Sequence, residues 1–230
     1  MTVGCIIPAV GRGERMGRGQ PKALRTLAGA SLLEHAVRAM AASRQVVHIV
    51  VAAPPDQVAS TGSLMGSLRI DARVDVVAGG ETRTDSVRLG MAAMPETCTT
   101  ILVHDAARPL VPIDVVDRVA AAVEDGAPAV VPVVPISDTV KQVDEAGQVV
   151  RTVDRSELRA AQTPQGFSAD VLRNALAGED LDATDDAGLV ERAGYPVLVV
   201  PGDQEAMKVT RPLDLLVAEA IVRRRSGRVH

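Results

Sequence analysis

The chain has 230 residues, 47% of them hydrophobic, with a formal net charge of −4 at neutral pH. That length suits one α/β domain with an ample aliphatic core. The acidic balance and the scarcity of aromatics (Phe167, Tyr195 and no tryptophan) speak against broad nucleic-acid binding and against base-stacking platforms.

In chain order, Val- and Ile-rich runs at 3–10, 46–53, 74–77, 101–103 and 129–134 read as buried strands. Helical spacing of apolar residues covers 31–42, 83–94 and 113–124 between them. This alternation predicts a Rossmann-like α/β fold, a mostly parallel sheet with helices on both faces. After Pro135 the rhythm changes. Two extended runs, 139–143 and 148–153, flank the turn residues 144–147 and predict a β-hairpin arm at 136–158 of a single domain spanning 1–230. A lone hairpin is marginal in water. The arm is therefore expected to pack on a second copy of the chain, or else to fold back on its own domain. A helix at 184–193, a strand at 196–200 and a helix at 213–225 complete the expectation. Cys5 and Cys98 lack ligand-like spacing and read as buried free thiols of a reducing compartment. No signal-peptide pattern opens the chain and no apolar run nears the roughly 20 residues of a membrane span, so a cytoplasmic protein is expected.

Ligands of such sheets bind outside the carboxyl ends of the strands. Directly after the first strand comes PAVGRGERMGRGQPK at 8–22, with four glycines, three arginines and Lys22. Glycine lets backbone N–H groups approach a ligand, successive N–H groups form an anion-binding concavity, and the cations pair with phosphate oxygens. The loop reads as a polyphosphate cradle, with a plain basic surface loop as the competing reading. It is not a Walker A loop, because no lysine follows a glycine in that register. Nor is it a dinucleotide fingerprint: Gly11 and Gly13 fit, but Met16 takes the third glycine's place. Only Lys22, Lys141 and Lys208 among the 25 basic residues are lysines, and each lies in a segment with other marks of a site.

GGETRTDSV at 79–87 follows a strand and opens a helix. Gly79 and Gly80 allow a close backbone approach to a flat ligand, and Ser86 can donate to a base or ribose. A simple helix start capped by Thr82 is the alternative. HDAARP at 104–109 closes the central strand. Asp105 is placed to help hold a hydrated Mg²⁺ or a ribose, or to pair with Arg108. His104 reads as a core histidine, since nothing forms a triad with it. Further candidates are DTVK at 138–141, TVDR at 152–155, QTPQ at 162–165, TDD at 184–186 with Thr184 as N-cap, and MKVTRP at 207–212. Arg155 and Lys208 are the cations expected to meet a second, acidic substrate.

Taken together in this order, these motifs, with QTPQGF at 162–167, ATDDAG at 183–188 and KVTRPLDL at 208–215, make the chain resemble the 2-C-methyl-D-erythritol 4-phosphate cytidylyltransferases of the non-mevalonate isoprenoid pathway over nearly its full length. The resemblance implies a nucleotidyltransferase, dimeric through its β-arm. Such an enzyme joins CTP to methylerythritol phosphate, releases pyrophosphate and uses Mg²⁺ or another divalent cation. By motif position, Arg15 and Lys22 would stabilise the transition state, and Arg155 and Lys208 would position the substrate phosphate. Ala9, Val10, Gly11, Gly13, Gly79, Gly80, Ser86, Asp105 and Ala106 would line the CTP site. Thr139, Arg108, Thr163 and Thr184 would lie near the second substrate, with Thr139 reaching across the dimer. Asp105 would be the candidate metal ligand, the ion being held mainly by the CTP phosphates. Val10 departs from the alanine usual at its place.

A ribitol 5-phosphate cytidylyltransferase resembles the same motifs; Lys208-Val209-Thr210-Arg211-Pro212 favours methylerythritol phosphate. A catalytically silent CTP-binding module would need no Arg15, Lys22 and metal together, and a glycosyltransferase would end a strand in Asp-x-Asp. The acceptor phosphate is already anionic near neutral pH, so no general base is needed. Catalysis then rests on orienting two polyanions and neutralising the charge that builds between them. Lys22→Ala should lower turnover by roughly 10²–10³, as for loss of a single electrostatic donor; near-normal steady-state turnover would remove Lys22 from this role.

Overall fold

The computed structural model describes residues 2–11, 22–178 and 183–227. The first half alternates as expected: β1 (Val3–Pro8), a small hairpin of β2 (Thr26–Leu27) and β3 (Ala30–Ser31), α1 (Leu32–Ala41), β4 (Val46–Ala53), α2 (Val58–Gly66), β5 (Arg73–Ala78), α3 (Arg83–Ala92), β6 (Thr100–Val103) and α4 (Ile113–Glu124). The second half runs β7 (Ala129–Pro135), β8 (Val140–Val143), β9 (Val149–Val153), β10 (Arg159–Ala161), β11 (Gln165–Ser168), α5 (Ala169–Leu176), α6 (Asp186–Arg192), β12 (Val197–Pro201) and α7 (Pro212–Arg225).

One sheet organises the molecule. β1 pairs in parallel with β4 on one side and β6 on the other, and β5 extends the sheet beyond β4, also in parallel. β11 is inserted antiparallel between β6 and β7, while β12 runs parallel along β7. β10 pairs antiparallel with β7. The chain leaves β1 for β4 on one side and later returns to β6 on the other. This reversal of winding opens a crevice at the carboxyl end of β1.

Side chains alternate across each strand, so a sheet covered on both faces needs apolar residues at nearly every position. Cys5 and Ile7 of β1, Ile49 and Val51 of β4 and Leu102 of β6 pack into one core with Val37 and Met40 of α1 and Val116 and Val119 of α4. Ile6, Val50, Ile101 and Val103 face the other core, with Val87 of α3, Phe167 of β11, Leu172 of α5 and Val190 of α6. A third, smaller cluster seats α7 through Ala218 against Leu27, Leu32 and Val209.

Two helices, α2 and α5, and four short strands, β2, β3, β10 and β11, go beyond the sequence expectation. α2 carries Gly62 and Gly66 among Ser and Thr, residues of weak helix propensity, and is seated by buried Thr61 and Met65. α5 is short, and β10 and β11 hold three and four residues, so their order comes from neighbours rather than from local pattern. Asp185, not Thr184, caps α6: its carboxylate accepts from the Gly188 N–H. β8 and β9 form their own antiparallel pair, and every residue from 141 to 152 is exposed, so the arm does not fold back on its domain.

Phe167 is fully buried where β11 meets α5 and the sheet. Phe167→Ala should cost about 3–5 kcal/mol of unfolding free energy in chemical denaturation.

Candidate active site

Three loops meet at the carboxyl edge of the sheet. Backbone hydrogen bonds continue past the strands: Ala9 N–H to Ala52 O at 2.8 Å, Gly79 N–H to Ala53 O at 2.7 Å and His104 N–H to Ile6 O at 2.9 Å. The segments after β1, β5 and β6 therefore lie side by side. Gly79 faces Val10 so closely that a Cβ there would overlap the Val10 Cγ1. The need for glycine at 79 is thus set by packing between the two loops.

Of the first loop, Ala9, Val10 and Gly11 are described, Ala9 buried and Gly11 exposed. Gly13 and Arg15 lie outside the described residues, as does the side chain of Lys22, whose backbone starts a 3-10 turn (Lys22–Leu24).

The second loop becomes the N-terminus of α3. Thr82 is the N-cap in a reciprocal box with Asp85: the Asp85 N–H donates to Thr82 Oγ1, and the Thr82 N–H and Oγ1–H reach Asp85 Oδ2. Ser86 is fully buried, donates to Thr82 O at 2.9 Å and accepts from the Gly80 N–H at 3.1 Å. Its only proton is engaged inside the loop, so here it shapes the Gly79–Gly80 turn and has no proton left to donate to a base or ribose.

The third loop carries Asp105, and the alternative in which it pairs with Arg108 is corrected by the structure. The Asp105 carboxylate meets Lys208 Nζ at 2.7 Å and Arg83 Nε at 3.2 Å. Arg108 instead donates to the carbonyls of Ala206 at 2.7 Å and Ala161 at 3.2 Å, stapling the loop to two neighbouring segments. Lys208 arrives from far along the chain because the Val209 N–H donates to Ala107 O at 2.8 Å. Burial alone would raise the Asp105 pKa; the adjacent Arg83 and Lys208 cations overcome it and hold the carboxyl far below the usual range.

In the sequence Arg83 carried no role of its own, and nothing linked it to the TDD candidate at 184–186. Arg83 occupies the first turn of α3, where the helix dipole disfavours a cation. Two carboxylates compensate: Asp105, and Asp186 at 2.7 Å from Arg83 Nη2. Burial would lower the Arg83 pKa, but these two anions hold it above its ordinary value. Asp186 is fully buried at the start of α6. The Asp-Asp pair after Thr184 did not announce that cation, because the helix dipole favours a carboxylate in the first turn with or without one.

The QTPQ segment fastens the loops together. Thr163 is buried; its Oγ1 accepts from the Asp105 N–H at 3.0 Å and lies 3.1 Å from His104 Nδ1. His104 Nε2 is 3.0 Å from Arg108 O, a carbonyl that can only accept. The proton therefore sits on Nε2, and Nδ1 accepts the Thr163 hydroxyl proton. Gln162 bridges both backbone groups of Asp203, and Gln165 joins Asp185 to the Ala187 N–H. Ala106 is buried. Thr139, Arg155 and Thr184 are exposed, and the Arg155 guanidinium donates to Ser137 O at the base of the arm.

A family model described as 2-C-methyl-D-erythritol 4-phosphate cytidylyltransferase matches residues 3–224. The chain belongs to this family. Curated relatives named as 2-C-methyl-D-erythritol 4-phosphate cytidylyltransferases are 56% identical in Frankia casuarinae, over 96% of this chain and 82% of that one, and 55% identical in Saccharopolyspora erythraea, over 96% and 100%. The crystal structure of the cytidylyltransferase from Thermus thermophilus superposes with a TM-score of 0.78 at 37% identity, over 97% of this chain and all of that one. The chain is accordingly a nucleotidyltransferase-family protein of Rossmann-like α/β fold, and among its described residues no helix is long and apolar enough to cross a membrane.

Burial pushes the His104 pKa down from 6.5 to about 4. A proton lost on folding is bound more tightly by the unfolded chain, so this contribution is complete above pH 6.5 and disappears as pH falls towards 4. Unfolding free energies of the protein and of His104→Gln, compared from pH 7 down to 4, should diverge, the native protein losing about 3 kcal/mol more.

Proposed function

We propose that the protein transfers the cytidylyl group of CTP to 2-C-methyl-D-erythritol 4-phosphate, giving 4-diphosphocytidyl-2-C-methyl-D-erythritol and pyrophosphate. The family match across residues 3–224 carries this reading, and the crevice at the carboxyl end of β1, where the winding reverses between β4 and β6, supplies a place for it. CTP lies over the loops after β1 and β5, with Ala9, Val10, Gly11, Gly79 and Gly80 along its path. Arg15 and Lys22 supply the cations at the triphosphate.

The acceptor phosphate is held by Lys208 and Arg155. An ammonium has three donors, and Lys208 spends one on Asp105, which leaves two for phosphate oxygens. Arg155 keeps N–H groups beyond the one given to Ser137 O. An acceptor oxygen then attacks the α-phosphorus in line with departing pyrophosphate. The protein's part is to align the two anions and offset their repulsion.

A divalent cation is expected with CTP, but the described residues do not fit a protein-built metal centre. Both Asp105 oxygens face cations, and among the described residues no group of three or more His, Cys, Asp or Glu side chains is arranged to hold a metal ion. We therefore assign the cation to the nucleotide's own phosphates. We further propose a homodimer through the arm, where Val143, Val149 and Val150 are each more than half exposed, and a cytoplasmic setting that suits the free, buried Cys5 and Cys98.

Pyrophosphate release with CTP and Mg²⁺ should be fast with methylerythritol 4-phosphate and negligible with ribitol 5-phosphate. Release with ribitol 5-phosphate alone would keep the chemistry and replace the acceptor; CTP binding without release from either would leave a non-catalytic nucleotide-binding protein.

A further inference from the structure

Four charges of alternating sign run from the crevice into the interior: Lys208, Asp105, Arg83 and Asp186. The outer end is half-exposed and the inner end has no exposure. Burial raises the Asp186 pKa, and the Arg83 guanidinium beside it opposes that rise, so its charge is sustained by this one partner. Neither Asp186 oxygen has a well-formed hydrogen bond, although Arg83 Nη2 is close. Hydrogen bonding of its own does not account for Asp186 being acidic.

We infer that Asp186 is a positioning residue for the acceptor-binding Lys208, acting through the orientation of Arg83. An arginine facing a single carboxylate prefers to fork, placing two parallel N–H groups on both of its oxygens. Such a fork on Asp105 would take Oδ2, the oxygen that holds Lys208. Asp186 draws Nη2 inward and leaves only Nε on Asp105 Oδ1. The second oxygen thus stays available, and Lys208 is held at the crevice with donors to spare. Gln165 supports this by fixing the start of α6, bonding both the Asp185 carboxylate and the Ala187 N–H on either side of Asp186.

The test reads Lys208 directly, without substrate. Acylation of accessible lysine amines, quantified by peptide mass spectrometry, gives a Lys208-to-Lys141 ratio in the intact protein. Asp186→Asn keeps the shape and removes the charge, and Asp186→Leu fills the volume without a polar group. In each variant that melts cooperatively the ratio should rise several-fold, because Arg83 now forks onto Asp105 and Lys208 is released. The KM for the phosphorylated acceptor should rise about tenfold, the equivalent of one charge-assisted hydrogen bond, with the KM for CTP unchanged.

Adding Lys208→Met to Asp186→Asn should raise the acceptor KM no further than Lys208→Met alone. An unchanged labelling ratio in a folded variant, or additive effects in the double variant, would overturn the inference. The inference rests on the proposed role of Lys208, and the two can fail separately. Raised labelling with an unchanged acceptor KM would uphold the Asp186–Arg83–Lys208 coupling and remove Lys208 from acceptor binding.

Discussion

A carboxylate removed from water stays ionised only where cations replace its hydration, and Asp105 meets that condition from two directions. Arg83 comes from the start of α3 and Lys208 from the segment before α7, so one small anion joins parts of the chain that share no secondary structure. Without it, two cations would face each other across the strand ends. Without them, burial would neutralise the carboxyl group. The crevice can remain rich in positive charge, as two polyanionic ligands require, because this anion spaces the cations and fixes where they point.

The surroundings make that arrangement rigid. Asp105 cannot swing away, since its own N–H is bound by Thr163, whose hydroxyl is also engaged with His104, which in turn is bound to the Arg108 carbonyl. A neutral imidazole is what this chain requires: one nitrogen donates and the other accepts. A second proton would break the link at Thr163. Fully buried beneath the loop, His104 is a fastener.

The parallel half of the fold was legible because Val3 to Pro8, Val46 to Ala53 and Thr100 to Val103 are apolar at nearly every position, as a sheet covered on both faces demands. β11 was not: Gln165-Gly166-Phe167-Ser168 offers one bulky apolar residue, and its pairing is decided by the flanking β6 and β7. The site was legible as a set of loops and as the identities of Asp105 and Lys208. Which groups meet was not, because Arg83 and Asp186 pair across elements whose separation no sequence spacing encodes. Thr163 and Ser86, expected against ligands, spend their hydroxyls on the protein. A hydroxyl in a motif announces a hydrogen bond without saying to whom.

The backbone bond from Val209 to Ala107 also ties the site to the order in which the chain is synthesised. Strand ends, glycine turns and the central sheet are all encoded upstream, and a growing polypeptide can begin to gather them while it is still being synthesised. Lys208 joins Asp105 only after all of these have emerged, by closing one of the longest loops in the molecule. A prematurely ended product would hold a sheet, a nucleotide-facing rim and an anion short of one of its two cations. In this protein the rim is encoded early and its last cation late.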